Sequence, residues 1–410
     1  MFFSKLLKYG FLWILGGTIY YALEWLFRGF SHWTMFVLGG ICMMFFAFQG
    51  RAVGWSESLW KQVLRSTIFA VSCEFITGII VNKTGFGGLP IQRISDEAAE
   101  KLLWMAVDAG INFFDTGKTY SDSEVKLGRV LSKVRDKVYI ATKSPAKNPE
   151  DFFADLNQSL ERLQTDYIDV FQFHNPPFCP KPGDGTGLYE AALEAKKQGK
   201  IRHIGISSHK LPIAREIIES GLYEVLQFPF CYLATKEDME IVEACKNADI
   251  GFIAMKGLAG GVLNNAKAAF AYQEQFDHVV PVWGIQRESE LQEFISYMKN
   301  PPEMDDEVKA IIEKDLKELS GDFCRGCGYC LPCPAEIPIN QCARMSVLLR
   351  RSNTQAFLSS TWQEHMKKIE NCIKCGACAS RCPYGLNPPE LLQRNYEEYK
   401  EIIAGKIEVK

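Results

Sequence analysis

From Thr84 onward the chain alternates short apolar runs with amphipathic stretches, and that alternation decides the fold class. The runs at 85–89, 111–115, 138–143, 167–174, 201–207, 224–230, 251–256 and 279–284 read as buried parallel strands. Stretches of helical period separate them, at 124–134, 151–163, 188–198, 211–219 and 236–247. Ser95 is a helix N-cap, with Asp96 and Glu97 in the first turn behind it. Eight strands with helices between them predict an α/β chain built on a (β/α)8 TIM barrel. An open doubly wound sheet is the runner-up. It would more naturally carry G-x-G-x-x-G after its first strand, and that motif is missing here.

Before Thr84 the pattern is different. Residues 11–27 and 34–48 are strongly apolar and aromatic, and 67–81 is a weaker third run. Each is short against the roughly 20 residues that cross a bilayer, and would borrow flanking residues to do so. Lys5 and Lys8 before the first run also suit a signal peptide, but no small-residue cleavage site follows. Glu24 and Glu74 fall inside apolar runs, where a charge faces a partner or cavity or else snorkels. The segments GGTIYYALEWLFRGFSHWTMFVLGG and CEFITGIIVN resemble the ABC-transporter type IV (CmpB-like) membrane family. The expectation is therefore transmembrane helices within residues 1–82 and a membrane-associated protein. Lys5, Lys8, Arg51, Lys61 and Arg65 set its basic loops on the cytoplasmic side. Three full crossings would export everything after Lys83, away from reduced nucleotide. The catalytic domains are thus expected on the cytoplasmic side, and the join near Asn82 is the weak point of this reading.

Charge and cysteine content change the picture next. A formal charge of −3 gives no electrostatic reason to expect a nucleic-acid partner. Of 14 cysteines, nine lie between Cys324 and Cys382, a spacing that points to metal sites and a reducing compartment more than to disulfides.

Candidate chemistry collects where the strands end. Asp115 closes the second strand, Lys143 the third and His174 the fourth, with Tyr120 in the loop beyond Asp115. Taken singly, Asp115 reads as a helix N-cap, Lys143 as a solvated lysine and His174 as a core histidine. On adjacent strands about 4.8 Å apart they reach one mouth together.

The segments LPIQRIS, INFFDTGKTYSDSE, VYIATKS, YIDVFQFHN, IRHIGISSH and VLQFPFCYL resemble the aldo-keto reductases across residues 84–299. The resemblance implies a tetrad of Asp115, Tyr120, Lys143 and His174, a small carbonyl substrate and a nicotinamide cofactor. The implied chemistry is a carbonyl that accepts hydride and needs a proton at its oxygen. The roles this implies make Tyr120 the donor, with Lys143 expected to favour its ionised form, Asp115 to hold the ammonium and His174 to orient the carbonyl. The resemblance also implies Ser207, Ser208 and Gln227 on the carboxamide, Phe230 stacked on the ring, and Lys256, Gly257 and Leu258, with Ala259, near the pyrophosphate. Arg287 is the one obvious partner for a 2′-phosphate, so NADP(H) is preferred and NAD(H) stays open. Two departures stand out. Cys231 replaces a frequent asparagine, and the usual hairpin before the first strand is missing, so that 79–84 could extend that strand.

Cys372, Cys375, Cys378 and Cys382 follow the C-x2-C-x2-C-x3-C-P spacing of bacterial [4Fe-4S] ferredoxins. Cys324, Cys327, Cys330 and Cys333 make a near copy. One or two [4Fe-4S] clusters are expected, with the fourth cysteines exchanged if there are two. A structural zinc at one set is the plainer alternative. Cys342 is a spare ligand candidate, and Cys42, Cys73, Cys179, Cys231 and Cys245 read as ordinary thiols. FCRGCGYCLPCP resembles the reductases that carry a ferredoxin-type domain.

The chain thus divides, in expectation, into a membrane segment (1–82), a reductase barrel (84–305) and a ferredoxin-like Fe-S domain (306–410). Hydride chemistry moves two electrons and clusters move one, so the clusters either serve a redox partner protein or are structural. The rival reading is a membrane-tethered electron-transfer or binding module whose barrel is inactive because its first strand is disrupted.

Overall fold

Eight parallel strands close into a barrel in strict sequence order in the computed structural model, which describes residues 81–409 apart from 320–322, 327, 352–353 and 383. They are β1 Gly85–Gly87, β2 Phe113–Asp115, β3 Tyr139–Ser144, β4 Ile168–His174, β5 Ile201–Ser207, β6 Val225–Pro229, β7 Gly251–Met255 and β8 Val279–Gly284. Every strand read from the apolar pattern is present, most of them trimmed by one or two residues.

Nine helices among the described residues surround or flank the barrel: α1 Asp96–Asp108, α2 Ser123–Leu131, α3 Pro149–Leu163, α4 Leu188–Lys197, α5 Leu211–Ser220, α6 Lys236–Asn247, α7 Ala266–Gln273, α8 Glu288–Lys299 and α9 Asp306–Glu318. Their starts are chemically marked. The Ser95 side chain accepts from Ala98 N, and Thr235 and Asp238 form a reciprocal capping box. α9 precedes the cysteine-rich segment, yet its Val308 packs into the same core as the barrel helices. The boundary expected at residue 305 therefore falls ahead of a helix that packs with the barrel.

The first strand is intact. Phe86 pairs with Phe114 of β2 and with Trp283 of β8, so β1 closes the cylinder from both sides. Its inward Gly85 leaves room that Val282 and Phe113 fill, because a Cβ there would lie 3.0 and 3.1 Å from them. Below it, Val81 is 1% exposed and joins Phe113, Ala141, Val170, Val225, Ile253 and Val280 in the barrel interior. Asn82 N donates to Asn112 Oδ1 at 2.6 Å, and Lys83 Nζ donates to Glu274 O at 2.8 Å. Residues 81–83 thus cover the barrel floor, the job expected of a hairpin.

The expectation of transmembrane helices and a membrane location is corrected: among the described residues no helix is long and apolar enough to cross a membrane. Neither family match reported below reaches residues 1–82. The runs at 11–27 and 34–48, nearly all of 67–81, and the glutamates Glu24 and Glu74 lie outside the described residues. Val81, the last residue of the third run, serves the barrel floor.

After α9 come short helices, α10 Ile339–Cys342, α11 Met345–Arg351, α12 Thr354–Phe357, α13 Ser360–Lys367 and α14 Ala377–Ser380, and then the longer α15 Pro388–Ile403. Their core includes Ile337, Met345, Met366, Leu391 and Tyr399.

Candidate active site and cluster cavities

Strand alternation decides which side chains reach the mouth. Phe113, Ala141, Val170, Val225 and Ile253 face inward. Two residues further along the same faces stand Asp115, Lys143, Gln172, Gln227 and Met255, and His174 follows Gln172. Register brings them level: Lys143 pairs with Gln172 and His174 with Ser207.

Lys143 Nζ donates to Asp115 Oδ1 at 2.7 Å and to Thr116 O at 2.5 Å. Burial pushes Asp115 up and Lys143 down, and each charge opposes that shift in the other. Lys143 lies 5.3 Å from the centroid of the Tyr120 ring. The ring also meets His174 edge-on, with centroids 5.8 Å apart. Gly117 lets it settle there, since a Cβ at that position would stand 3.3 Å from Tyr120 Cζ. Thr119 Oγ1 is 3.4 Å from His174 Nδ1.

The sequence reading has Lys143 favouring the phenolate. Burial first, and then the charge of Asp115, push the Tyr120 phenol upward instead. The carboxylate that holds the ammonium thus also disfavours the phenolate. Tyr120 therefore keeps its proton, as a donor must. His174 is driven down to about 3 by burial and by Lys143, so it is a neutral imidazole at ordinary pH.

The carboxamide candidates also converge. Gln227 is 1% exposed and its Oε1 has no hydrogen-bond partner among the described residues. Ser208 N donates to Gln227 O at 3.0 Å, and Ser207 Oγ accepts from Asn175 N at 3.0 Å. A buried acceptor with no donor is costly, and a bound amide would satisfy it.

Phe230 does not fit its expected role. It lies three positions from inward-facing Gln227, so its side chain points outward, and it is 1% exposed. Its ring centroid is 5.0 Å from that of Phe276, with Tyr272 and Phe252 close by. Packed between barrel and helices, it offers no free face for stacking. Met255, half-buried at the inward end of β7, is the apolar side chain that the mouth presents, and parity along β7 would have identified it.

In the loop after β7, Gly257 packs on the Trp283 ring, where a Cβ would come within 2.5 Å of Cζ3. Leu258 packs on the core, and Lys256 has the left-handed φ of 62°. Arg287 is held by Glu290, with Nε to Oε1 at 2.8 Å, and its side chain is 70% exposed.

The cysteine-rich segment forms two small cavities open to solvent. The first is bordered by Cys333, Cys372, Cys375 and Cys378, and the second by Cys324, Cys382 and Tyr384, with Cys330 on both. Cys327 lies outside the described residues. Among the described residues no three metal-binding side chains meet closely enough for a single ion. The thiols instead border volumes, and each of the two fourth cysteines faces the cavity of the other set. Cys342 borders neither: it is buried in the helical core, and burial pushes its thiol up to about 12. It is a core residue rather than a spare ligand.

With this geometry described, the comparisons with known proteins are specific. Residues 83–280 match the model of the aldo/keto reductase family, and residues 323–387 match that of a 4Fe-4S dicluster domain. The chain therefore carries an aldo/keto reductase domain and a 4Fe-4S dicluster domain. Methylglyoxal reductase DkgB of Salmonella typhi is 34% identical over 139 residues, which is 32% of this chain and 50% of the relative. L-galactose dehydrogenase of Arabidopsis thaliana is 30% identical over 207 residues, 46% of this chain and 65% of the relative. The chain thus spans about half to two thirds of these relatives. The holo form of an aldo-keto reductase from Bacillus halodurans shares the fold at a TM-score of 0.50 and 20% identity, covering 58% of this chain and 93% of its own.

Proposed function

We propose that the chain is a nicotinamide-dependent oxidoreductase that reduces small aldehydes or ketones, or runs the reverse reaction. In this reading residues 84–319 are the reductase barrel, and the segment that follows holds two [4Fe-4S] clusters for electron transfer to a redox partner protein. The observation that carries it is the buried Lys143–Asp115 pair beside Tyr120 and a neutral His174 at the barrel mouth.

A bound reduced nicotinamide supplies hydride to the carbonyl carbon. Tyr120 gives its phenolic proton to the carbonyl oxygen, where negative charge develops. Lys143 stabilises the phenolate that remains, and Asp115 keeps the ammonium in place. His174, uncharged, orients the carbonyl oxygen by hydrogen bonding. Ser207, Ser208 and Gln227 would hold the carboxamide, and the orphaned Gln227 Oε1 supports that assignment. Arg287 already has Glu290 as a partner, which weakens the argument for NADP(H) over NAD(H).

For the clusters, the cavity linings support Cys324 and Cys330 with Cys382 at one, and Cys372, Cys375 and Cys378 with Cys333 at the other, and the C-x2-C spacing adds Cys327 to the first set. The test is calorimetric titration of anaerobically purified protein with NADPH and NADH, followed by cofactor oxidation against a panel of small aldehydes. Binding and turnover are expected. An iron-sulfur signal without nicotinamide binding would make the chain an electron-transfer module with an inert barrel.

A further inference from the structure

A cleft open to solvent lies at the carboxyl ends of β6 and β7, bordered by Cys231, Asp238, Lys256, Ala259 and Arg325. Four of these come from barrel loops or α6. Arg325 comes from the cysteine-rich segment and is the residue after Cys324. Its guanidinium lies 4.8 Å from the Tyr384 ring centroid and 5.8 Å from that of Phe323. Among the described residues it makes no ion pair and no side-chain hydrogen bond. A half-buried guanidinium resting on two aromatic rings has five donors to offer and a limited choice of direction.

One acid, Asp238, borders the cleft. Asp238 Oδ2 is occupied as a cap, accepting from Thr235 N at 2.9 Å. Lys256 borders the same cleft and lies 5.9 Å from the Tyr384 ring centroid. The guanidinium of Arg325, which makes no ion pair among the described residues, thus lines the cleft together with Lys256, and its paired donors suit the oxygens of a phosphate anion.

The two loops that carry these cations are fastened together. Arg344, 7% exposed, donates from Nη1 to Gly260 O at 3.0 Å and from Nη2 to Gln341 Oε1 at 3.1 Å. It lies flat against Gly326, where a Cβ would come within 2.6 Å of Cζ. At Gly260 a Cβ would come within 3.1 Å of Arg325 O. Both glycines have positive φ, so the close approach and the backbone conformation each exclude a side chain. One buried guanidinium thus sets the loop after β7 against the loop that begins at Cys324.

Resting on the nicotinamide reading above, we propose that Arg325 and Lys256 together bind the diphosphate of the dinucleotide, so that the cluster-bearing segment completes the barrel's cofactor site. Arg325 supplies the paired donors that suit phosphate oxygens, and Lys256 supplies a point charge. Because Arg325 is next to a cluster cysteine, the hold on the dinucleotide depends on the conformation of the cluster loop.

The test is equilibrium titration of the anaerobic, iron-replete full chain with NADH and NADPH, read by cofactor fluorescence, with iron content measured on every sample. Arg325→Ala and Arg325→Gln are expected to raise Kd for both nucleotides by about ten-fold or more, and Arg325→Lys by less. Inorganic pyrophosphate is expected to compete with the nucleotide in the wild type and to lose that ability in Arg325→Gln. Should Arg325→Ala lose iron, Arg325→Gln and Arg325→Lys carry the measurement. Equal nucleotide affinity in the wild type and the iron-replete variants overturns this proposal while leaving the reductase reading in place. A wild type that binds no dinucleotide overturns both.

Discussion

Lys143 Nζ lies 2.7 Å from Asp115 Oδ1, joining neighbouring strands through two side chains that are 1% and 7% exposed. Removing one charge strands the other in the interior, whereas removing both does not. Asp115→Ala is therefore expected to cost about 3–5 kcal/mol of stability, and Asp115→Leu with Lys143→Met clearly less. Denaturant unfolding of the iron-replete proteins measures both. A double variant no more stable than Asp115→Ala would show that the pair does not act as a unit.

The neutral state of His174 has consequences for pH. Its pKa is about 3 in the folded chain and near 6.5 when unfolded, so the unfolded state takes up the proton first as pH falls. The stability this histidine contributes is complete above about pH 6.5 and is lost as pH drops toward about 3. His174→Gln should therefore lose less stability than the wild type between about pH 7 and pH 4. The same shift leaves kcat/KM for reduction without a histidine inflection near pH 6.5. An inflection that disappears in His174→Gln would contradict the assignment.

Cavity linings separate the proposed ligand cysteines from Cys342, which borders neither cavity. Wild-type protein should hold about eight irons per chain, as two four-iron clusters require. Cys333→Ser should deplete the cluster of Cys372, Cys375 and Cys378, and Cys382→Ser the other. Cys342→Ala should keep its iron, and loses only core packing around a fully buried thiol. Iron and sulfide analysis with electron paramagnetic resonance checks this, and iron loss in Cys342→Ala would return that residue to the ligand set.

Phe230 shows where sequence reading reached its limit. The resemblance to the aldo-keto reductases implied a stacking ring at Phe230, but an odd offset from Gln227 along the strand turns the side chain to the other face. Phe230→Leu is expected to lower stability by about 1–2 kcal/mol through lost packing and to leave nicotinamide affinity unchanged. Met255→Ala should do the opposite. Paired calorimetric and unfolding measurements separate the two effects.

Much of the rest was legible because its signals are local. The eight strands announced themselves as apolar runs, and Asp115, Lys143 and His174 could be aligned because each ends a strand. The cysteine spacing pointed to the clusters, and each fourth cysteine, Cys333 and Cys382, borders the cavity of the other set. What depends on packing between distant segments was hidden. Val81 covers the barrel floor from the end of an apolar run that reads as a membrane span, and Cys342 passes for a ligand until the helices bury it. The raised pKa of Tyr120 was missed because its main cause is burial, which packing decides, with the nearby charge of Asp115 adding to it. Arg325 drew no notice, since nothing in its sequence context says that it borders a barrel cleft.

The most direct test of the account is the rate of nicotinamide oxidation with small aldehydes, compared between wild-type protein and Tyr120→Phe at matched iron content and cofactor saturation. The phenylalanine keeps the ring against Gly117 and His174 and removes only the proton. The account predicts turnover by the wild type and a fall of about 10²–10⁴ in the variant, with nucleotide affinity preserved. Equal rates in the two proteins would contradict it.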